Sequence, residues 1–187
     1  MTLSENKKMT LALIEEYSPE SEYLTDDIDI QTNLNLLYNL VYFRLSELYG
    51  IVETEELDVE ESDAYIEITL PGDLSKIKEL YALDSDGIPQ DDKEFFRLDK
   101  DKIRIRNPKG YEYILEYNKY PTQINEDTDE DFELELDMKA QMILPYGVAS
   151  SILINDPSAN YAAFESKYQN ELVNLDPNRS EPQVSII

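Results

Sequence analysis

Cysteine, histidine and tryptophan are all absent from the 187 residues, and only five residues are glycine. Without cysteine or histidine the chain has no thiolate nucleophile, no Ser-His-Asp triad, no Cys/His zinc site and no imidazole that titrates near neutral pH. The glycines are too widely separated to form a phosphate-binding loop. The composition therefore predicts no cofactor, no metal and no enzymatic activity.

Basic side chains are also scarce, with 16 Lys+Arg against 41 Asp+Glu and a formal net charge of −25. Neutralisation of phosphates by lysine and arginine supplies most of the affinity of proteins for nucleic acids and anionic membranes. The charge therefore argues against specific DNA binding and against a membrane partner. No apolar run approaches the roughly 20 residues of a membrane-spanning helix, so we expect a soluble intracellular protein.

The charge is unevenly distributed, because residues 76–119 hold ten of the sixteen basic residues together with ten acidic ones. Two acidic runs flank this neutral region, with seven carboxylates in residues 53–63 and eight in residues 126–137. Repulsion within each run predicts solvated connections. The second run begins like an EF-hand loop, but Phe132 and Met138 occupy the positions of the required Gly and Glu, so no calcium site is expected.

Helical periodicity marks both ends of the chain. A first helix is predicted over residues 4–17, with Ser4 as its N-cap. A second helix, ended by Gly50, has an apolar stripe at three- and four-residue steps formed by Ile30, Leu34, Leu37, Tyr38, Val41, Leu45 and Leu48. Pro145 is expected to interrupt a third helix and to begin a new one, and a last helix is predicted over residues 158–175.

The middle of the chain has the two-residue period of β-strands. Residues 65–70 alternate between apolar and polar side chains and end at Pro-Gly. Residues 77–83 predict a further strand, and the Asp-Ser-Asp-Gly sequence at 84–87 is typical of a tight turn rather than of a metal loop.

A β-hairpin is the strongest local prediction in the sequence. Residues 103–106 and 111–117 flank Asn-Pro-Lys-Gly, which has Pro and Gly at positions favoured in a type I turn. The two arginines of the first strand would then form ion pairs with Glu112 and Glu116 of the second strand. Arginines beside tyrosines also fit a stacking platform for single-stranded nucleic acid, but the ion-pair interpretation is favoured.

These elements predict an α+β fold in which helices flank a small antiparallel β-sheet or hairpin unit. We expect a single domain over residues 1–176, with N-terminal helices in 1–50, a β-rich insert in 64–120 and C-terminal helices in 133–176. Residues 177–187 are expected to form an extended C-terminal arm, because their end is apolar and would otherwise be left exposed.

Residues 144–153 read Leu-Pro-Tyr-Gly-Val-Ala-Ser-Ser-Ile-Leu and precede Asn-Asp-Pro at 155–157 and a helix with a central Tyr168. A strand that ends in Tyr-Pro at 120–121 lies before them. In these motifs the chain resembles the head–tail connector (adaptor) proteins of tailed bacteriophages, over residues 65–176. The first 30 residues and the first acidic run show no such motif.

The resemblance implies a structural protein of the virion, assembled in the host cytoplasm into a ring, commonly dodecameric, beneath the portal. The ring would join the portal to a head-completion (stopper) or tail protein. DNA would pass through an acidic channel that cannot retain its phosphates. Connector termini often extend onto a neighbour, and tyrosine suits interfaces, so the expected partner-binding residues are Val184, Ser185, Ile186, Ile187, Tyr146, Tyr161 and Tyr168.

Two alternatives remain open. The chain could be an acidic binding module, or DNA mimic, that occupies a basic groove of a partner and uses its two acidic runs as the active surface. A carboxylate hydrolase is the third hypothesis, and it requires one specific pair of acids with tuned pKa values.

Overall fold

The computed structural model describes residues 1–20, 24–91, 93–154 and 161–175. Its elements in chain order are α1 (Leu3–Leu13), α2 (Ile28–Tyr49), β1 (Ile51–Leu57), β2 (Ser62–Thr69), β3 (Leu74–Leu83), β4 (Glu94–Asp99), β5 (Lys102–Asn107), β6 (Glu112–Lys119), α3 (Met138–Leu153) and α4 (Tyr161–Leu175). The predicted α+β class is confirmed. The predicted arm at 177–187 lies outside the described residues.

The chain divides into two compact units. One, here called the helical unit, contains Met1–Tyr49 and Pro121–Ile187, and the other, here called the β unit, contains Gly50–Tyr120. The β unit is therefore inserted between α2 and the C-terminal helices. It begins earlier than the insert expected from the two-residue period, because β1 precedes the predicted strands.

Helix α3 is the centre of the helical unit and packs against α1, α2 and α4. The predicted stripe of α2 is buried at Leu34, Tyr38, Val41 and Leu45, which face this core. Leu48 is 52% exposed, so the stripe ends before the last turn. Gly50 follows α2 with a φ of 71°, a conformation that favours glycine and ends the helix as predicted.

The start of α1 differs from the prediction, because Thr2 and not Ser4 is the N-cap. The Thr2 hydroxyl accepts a hydrogen bond from the Glu5 amide at 3.2 Å, and the Glu5 carboxylate accepts one from the Thr2 amide at 3.0 Å. This reciprocal pair is a capping box. The helix also ends at Leu13, earlier than the predicted Tyr17.

Pro145 lies inside one continuous helix, so the prediction of a broken helix was wrong. Proline removes one backbone N–H and leaves the carbonyl of the residue four positions earlier, Gln141, without its helical donor. The side-chain amide of Asn6 donates to that carbonyl at 2.9 Å in a buried position. A donor from α1 therefore replaces the missing hydrogen bond of α3.

The β unit contains two three-stranded antiparallel sheets around one core. The strand order is β1-β6-β3 in the first sheet and β2-β5-β4 in the second sheet. Both sheets contribute to the buried cluster, which comprises Leu57, Leu70, Leu80, Ala82, Ile103, Ile105, Tyr113, Leu115 and Tyr117. The alternation predicted for residues 65–70 is observed, because Ile66, Ile68 and Leu70 are less exposed than their neighbours.

The predicted hairpin is wrong, because β5 and β6 are consecutive in the chain but belong to different sheets. β5 pairs with β2 and β4, whereas β6 pairs with β1 and β3. The segment between them is a corner that carries the chain from one sheet to the other. A turn sequence specifies a local reversal, but it does not specify which strands pair afterwards.

The acidic runs are more structured than solvated connections. Residues 53–57 of the first run belong to β1, whose central carboxylates stay exposed while its backbone pairs with β6. The second run contributes Leu134 and Leu136 to the core, each 4% exposed. Its carbonyls also accept hydrogen bonds from the first turn of α1, from Leu3 to Phe132 at 2.8 Å and from Ser4 to Glu130 at 3.0 Å.

Candidate interaction surfaces

The Leu-Pro-Tyr-Gly segment of α3 lies where three helices approach most closely. A Cβ atom at Gly147 would lie 2.7 Å from Val41 of α2 and 2.8 Å from the ring of Tyr168 in α4. Real Cβ atoms do not approach that closely, so glycine permits this packing. The residues that carry the family resemblance are thus residues that hold the helical unit together.

The predicted tyrosines occupy three different environments. Tyr161 is 40% exposed, whereas Tyr146 is half-buried with the Lys167 ammonium 5.9 Å from its ring centroid. Tyr168 is 2% exposed, and the Arg44 guanidinium lies 5.8 Å from its ring centroid. Burial raises the pKa of Tyr168 to about 12. Its hydroxyl has no hydrogen-bond partner among the described residues.

These positions bear differently on partner binding. Tyr161 is accessible to a partner, whereas the buried Tyr168 supports the packing of α3 on α4. Val184, Ser185, Ile186 and Ile187 lie outside the described residues. The assignment of all seven residues to partner binding stays a prediction.

A second apolar face on α2 was not singled out from the sequence. Leu36 and Leu40 are 59% and 61% exposed, and the helical period places them opposite the buried stripe. Phe43, one turn further, is half-buried. Leucines outside the stripe are visible in the sequence and are the signal that indicates this face. We call Leu36, Leu40 and Phe43 the outer face of α2.

A cavity of about 610 Å³ with a mixed polar and apolar lining lies within the helical unit between α1, α2 and the second acidic run. The Lys7 ammonium donates to the Glu130 carboxylate at 2.6 Å on its wall, and the Lys7 side chain is only 8% exposed. The remaining polar wall includes Ser4, Gln31 and Asn35. The ion pair neutralises the lysine and fastens the acidic run to α1.

A network of buried polar groups connects α1 to α2 and α3. The Tyr38 hydroxyl donates to the Asn6 side chain at 3.2 Å and hydrogen-bonds with Thr10. Burial raises the pKa of Tyr38 well above its ordinary value. The Gln141 side-chain amide donates to the carbonyls of Leu134 at 2.9 Å and Leu136 at 2.6 Å. These bonds satisfy buried polar groups and point to a structural role.

The outer face of the second sheet carries the one cluster of basic and aromatic residues that the sequence singled out. Arg104 lies 3.7 Å from Glu67, and Arg106 lies 3.1 Å from Glu94. Ion pairing therefore occurs, but not with the predicted partners Glu112 and Glu116, because those residues are in the other sheet. Glu116 instead pairs with Lys78 of β3.

Aromatic rings accompany these ion pairs. Tyr65 and Phe96 make an edge-to-face contact with ring centroids 5.2 Å apart, and both are more than 40% exposed. The Lys102 ammonium donates to Glu67 at 2.7 Å, which holds the pKa of that carboxyl below its usual range. Lys102, Arg104 and Arg106 each have a carboxylate partner, so phosphate binding to them would have to displace an existing ion pair.

Within the described residues, no group of three or more acidic side chains is arranged to hold a metal ion. Asp84 caps its own tight turn, as predicted, because its carboxylate accepts hydrogen bonds at 3.0 Å from the amides of Asp86 and Ile88. Over the same residues, no helix combines the length and apolar character needed to cross a bilayer.

No protein-family model matches the chain, and no curated protein matches it either. The functional interpretation therefore depends on the residues and on their arrangement in the two units.

Proposed function

We propose that this chain is a structural head–tail connector (adaptor) of a tailed phage or prophage. Copies of the chain form a ring beneath the portal and join it to the next connector, stopper or tail protein. The observation that carries the proposal is the outer face of α2. A helix that is apolar on two opposite faces is typical of one that is buried on both sides, and only one side is buried within the helical unit.

Charge supports the same proposal. The exposed carboxylates of β1 and of residues 126–137 carry much of the net charge of −25. A ring whose channel exposes such carboxylates repels DNA phosphates and lets the genome pass without binding it. The C-terminal residues Val184, Ser185, Ile186 and Ile187 are proposed to bind the portal or a neighbouring copy, by adding a strand or by filling an apolar groove.

The test is assembly of the full chain with the portal protein of the same virus, examined by electron microscopy. A closed ring on the portal is expected. The double variant Leu36→Glu/Leu40→Glu should abolish the ring while the circular dichroism of the free protein is unchanged. Leu48→Glu is the control, because this exposed leucine of α2 lies outside the outer face. A double variant that assembles as well as the wild type would refute the role of this face.

The C-terminal residues need a separate experiment. Deletion of residues 178–187 should weaken docking to the portal and leave the thermal unfolding of the chain unchanged. Undiminished docking of the shortened chain would remove Val184, Ser185, Ile186 and Ile187 from the proposal.

An acidic binding module is the second candidate function. The observation that favours it is β1, an edge strand on which Glu53, Glu55 and Glu56 are all exposed. A DNA mimic would bind a basic protein with an affinity that falls steeply with salt, whereas a connector held by apolar contacts would remain assembled. Co-sedimentation with the portal at low and high salt distinguishes the two functions.

A further inference from the structure

The β unit has four edge strands among its described residues, and the two most exposed of them, β1 and β4, differ in chemistry. β1 ends the first sheet and β4 ends the second sheet, so each has a hydrogen-bonded neighbour on one side only in the described part of the chain. In β1 the five residues from Val52 to Glu56 are all exposed, and in β4 all six residues are exposed. An open edge presents unpaired N–H and C=O groups that can pair with another strand.

The side chains of each edge disfavour pairing with the same edge of another copy. Two β1 strands would bring together three glutamates from each copy, at Glu53, Glu55 and Glu56. Two antiparallel β4 strands in central register would place the flanking Lys93 opposite Lys100 twice. Self-association through identical edges is therefore opposed by like charges.

The two edges are complementary to each other. β4 exposes apolar side chains at Phe95, Phe96 and Leu98, which are 40%, 43% and 41% exposed. It also carries Arg97, and lysines flank it at positions 93 and 100. The carboxylate of Glu94 is already neutralised by Arg106 at 3.1 Å. β1 carries three carboxylates and no basic residue, and Glu53 already pairs with Lys119 at 3.3 Å. Glu55 and Glu56 therefore supply negative charge to the cations at positions 93, 97 and 100 of the β4 edge.

We propose that β1 of one copy adds to the β4 edge of the next copy, so that the first sheet of one molecule continues into the second sheet of its neighbour. This inference rests on the proposed ring, because it names a contact between its subunits in addition to the outer face of α2. A contact between two different surfaces of the same chain is heterologous, and such contacts form a closed ring when the rotation between copies closes. The strands are seven and six residues long and can pair over nearly their full length.

The experiment uses two full-length variants with reversed charges. The first replaces the three glutamates of β1 (Glu53→Lys/Glu55→Lys/Glu56→Lys), and the second replaces the cations of β4 (Lys93→Glu/Arg97→Glu/Lys100→Glu). Each variant alone has like charges on both of its edges. In an equimolar mixture, every β1 edge again faces a β4 edge of opposite charge. The matched control, Glu15→Lys/Glu16→Lys/Glu20→Lys, reverses three exposed glutamates of the helical unit.

Sedimentation velocity over a concentration series measures assembly. We expect the wild type and the control to assemble, each edge variant to require at least about tenfold more protein, and the mixture to recover wild-type assembly. Edge variants that assemble like the wild type, a mixture that fails to recover, or a wild type that never associates would each overturn the inference. If a triple variant unfolds, Glu55→Lys and Arg97→Glu replace the two triple variants in the same experiment.

The outcomes separate this inference from the proposed function. A ring on the portal that is insensitive to the edge variants refutes the β1–β4 contact and leaves the connector function standing. A ring that depends on these edges but binds no portal refutes the connector function and leaves the contact standing.

Discussion

At the scale of single residues, one side chain of the helical unit replaces a backbone hydrogen bond that a proline removes. Asn6 is fully buried and donates to the Gln141 carbonyl that Pro145 leaves without a partner. A buried carbonyl without a donor costs about 1–3 kcal/mol. The proline is tolerated in the middle of α3 because a residue more than a hundred positions earlier supplies that donor.

Asn6→Ala should therefore lower the free energy of unfolding by about 1–3 kcal/mol. In a Pro145→Ala background the loss should be smaller by about 1 kcal/mol, because the amide of the new alanine donates to Gln141 as in an ordinary helix. Urea unfolding of the four chains of this double-mutant cycle measures the coupling. Asn33→Ala, at an exposed helical asparagine, is the control. If Asn6→Ala lowers the free energy of unfolding equally in both backgrounds, Asn6 does not replace the hydrogen bond that Pro145 removes.

Tyr168 tests the cost of a buried hydroxyl without a partner among the described residues. Tyr168→Phe should leave the free energy of unfolding unchanged or raise it, whereas Tyr38→Phe should lower it by about 1 kcal/mol because its hydroxyl is hydrogen-bonded. The fold raises the pKa of Tyr168 from 10.0 to about 12, so its neutral form is favoured.

The pH dependence of Tyr168 follows from this direction. The stabilisation of the folded state by the neutral Tyr168 side chain is complete below pH 10 and is lost as the pH rises towards 12. Between these values Tyr168 is ionised in the unfolded chain but still protonated in the folded chain, so rising pH favours unfolding. Tyr168→Phe should therefore reduce the fall in stability with rising pH. The measurement is the shift of the unfolding midpoint between pH 9 and pH 11, about one unit either side of the ordinary pKa. If Tyr168→Phe does not change the fall in stability between pH 9 and pH 11, about one unit either side of the ordinary pKa, this hydroxyl is not buried.

At the scale of elements, the corner between β5 and β6 decides the topology of the β unit. Asn107 is 1% exposed, and its side-chain amide donates to the carbonyls of Val59 at 3.0 Å and Tyr111 at 2.9 Å. Its side-chain oxygen accepts from the Tyr111 amide at 2.8 Å. This one side chain therefore satisfies both backbone groups of Tyr111 at the corner and also the carbonyl of Val59.

Asn107→Ala should destabilise the chain by about 1–3 kcal/mol, because it leaves these buried backbone groups without partners. Thermal unfolding followed by circular dichroism measures the loss. Ser85→Ala, in an exposed turn of the same unit, is expected to change stability by less than about 0.5 kcal/mol. Equal effects of the two substitutions would show that the corner does not depend on this side chain.

At the scale of the whole molecule, the β unit is an insertion whose two ends lie side by side. β1 and β6 pair in antiparallel register from Ile51 opposite Lys119 to Leu57 opposite Tyr113. The chain therefore enters and leaves the β unit through neighbouring strands about 5 Å apart. A short linker can join these two points.

Replacement of residues 51–119 by a short Gly-Ser linker should leave the helical unit folded. We expect a helical circular dichroism spectrum and one cooperative unfolding transition, because α3 packs against α1, α2 and α4 of its own unit and residues 121–137 are kept. The same linker with Leu45→Glu in the buried stripe is the control that should not fold. A shortened chain without a cooperative transition would show that the two units depend on each other.

Features that depend on residues close together in the chain could be predicted from the sequence. The α+β class, the buried stripe of α2, the alternation before Leu70 and the turn at Asp84 follow from periods and turn chemistry that act over a few positions. The charge likewise follows from composition alone.

Contacts between residues far apart in the chain could not be predicted from the sequence and are known only from the complete fold. The separation of β5 and β6 into two sheets, the strand within an acidic run and the continuous helix through Pro145 each need hydrogen-bond partners far along the chain. Asn6 and Gln141 are 135 residues apart. Local patterns cannot specify such partners, because a buried backbone group is satisfied by whichever donor or acceptor the complete fold brings to it.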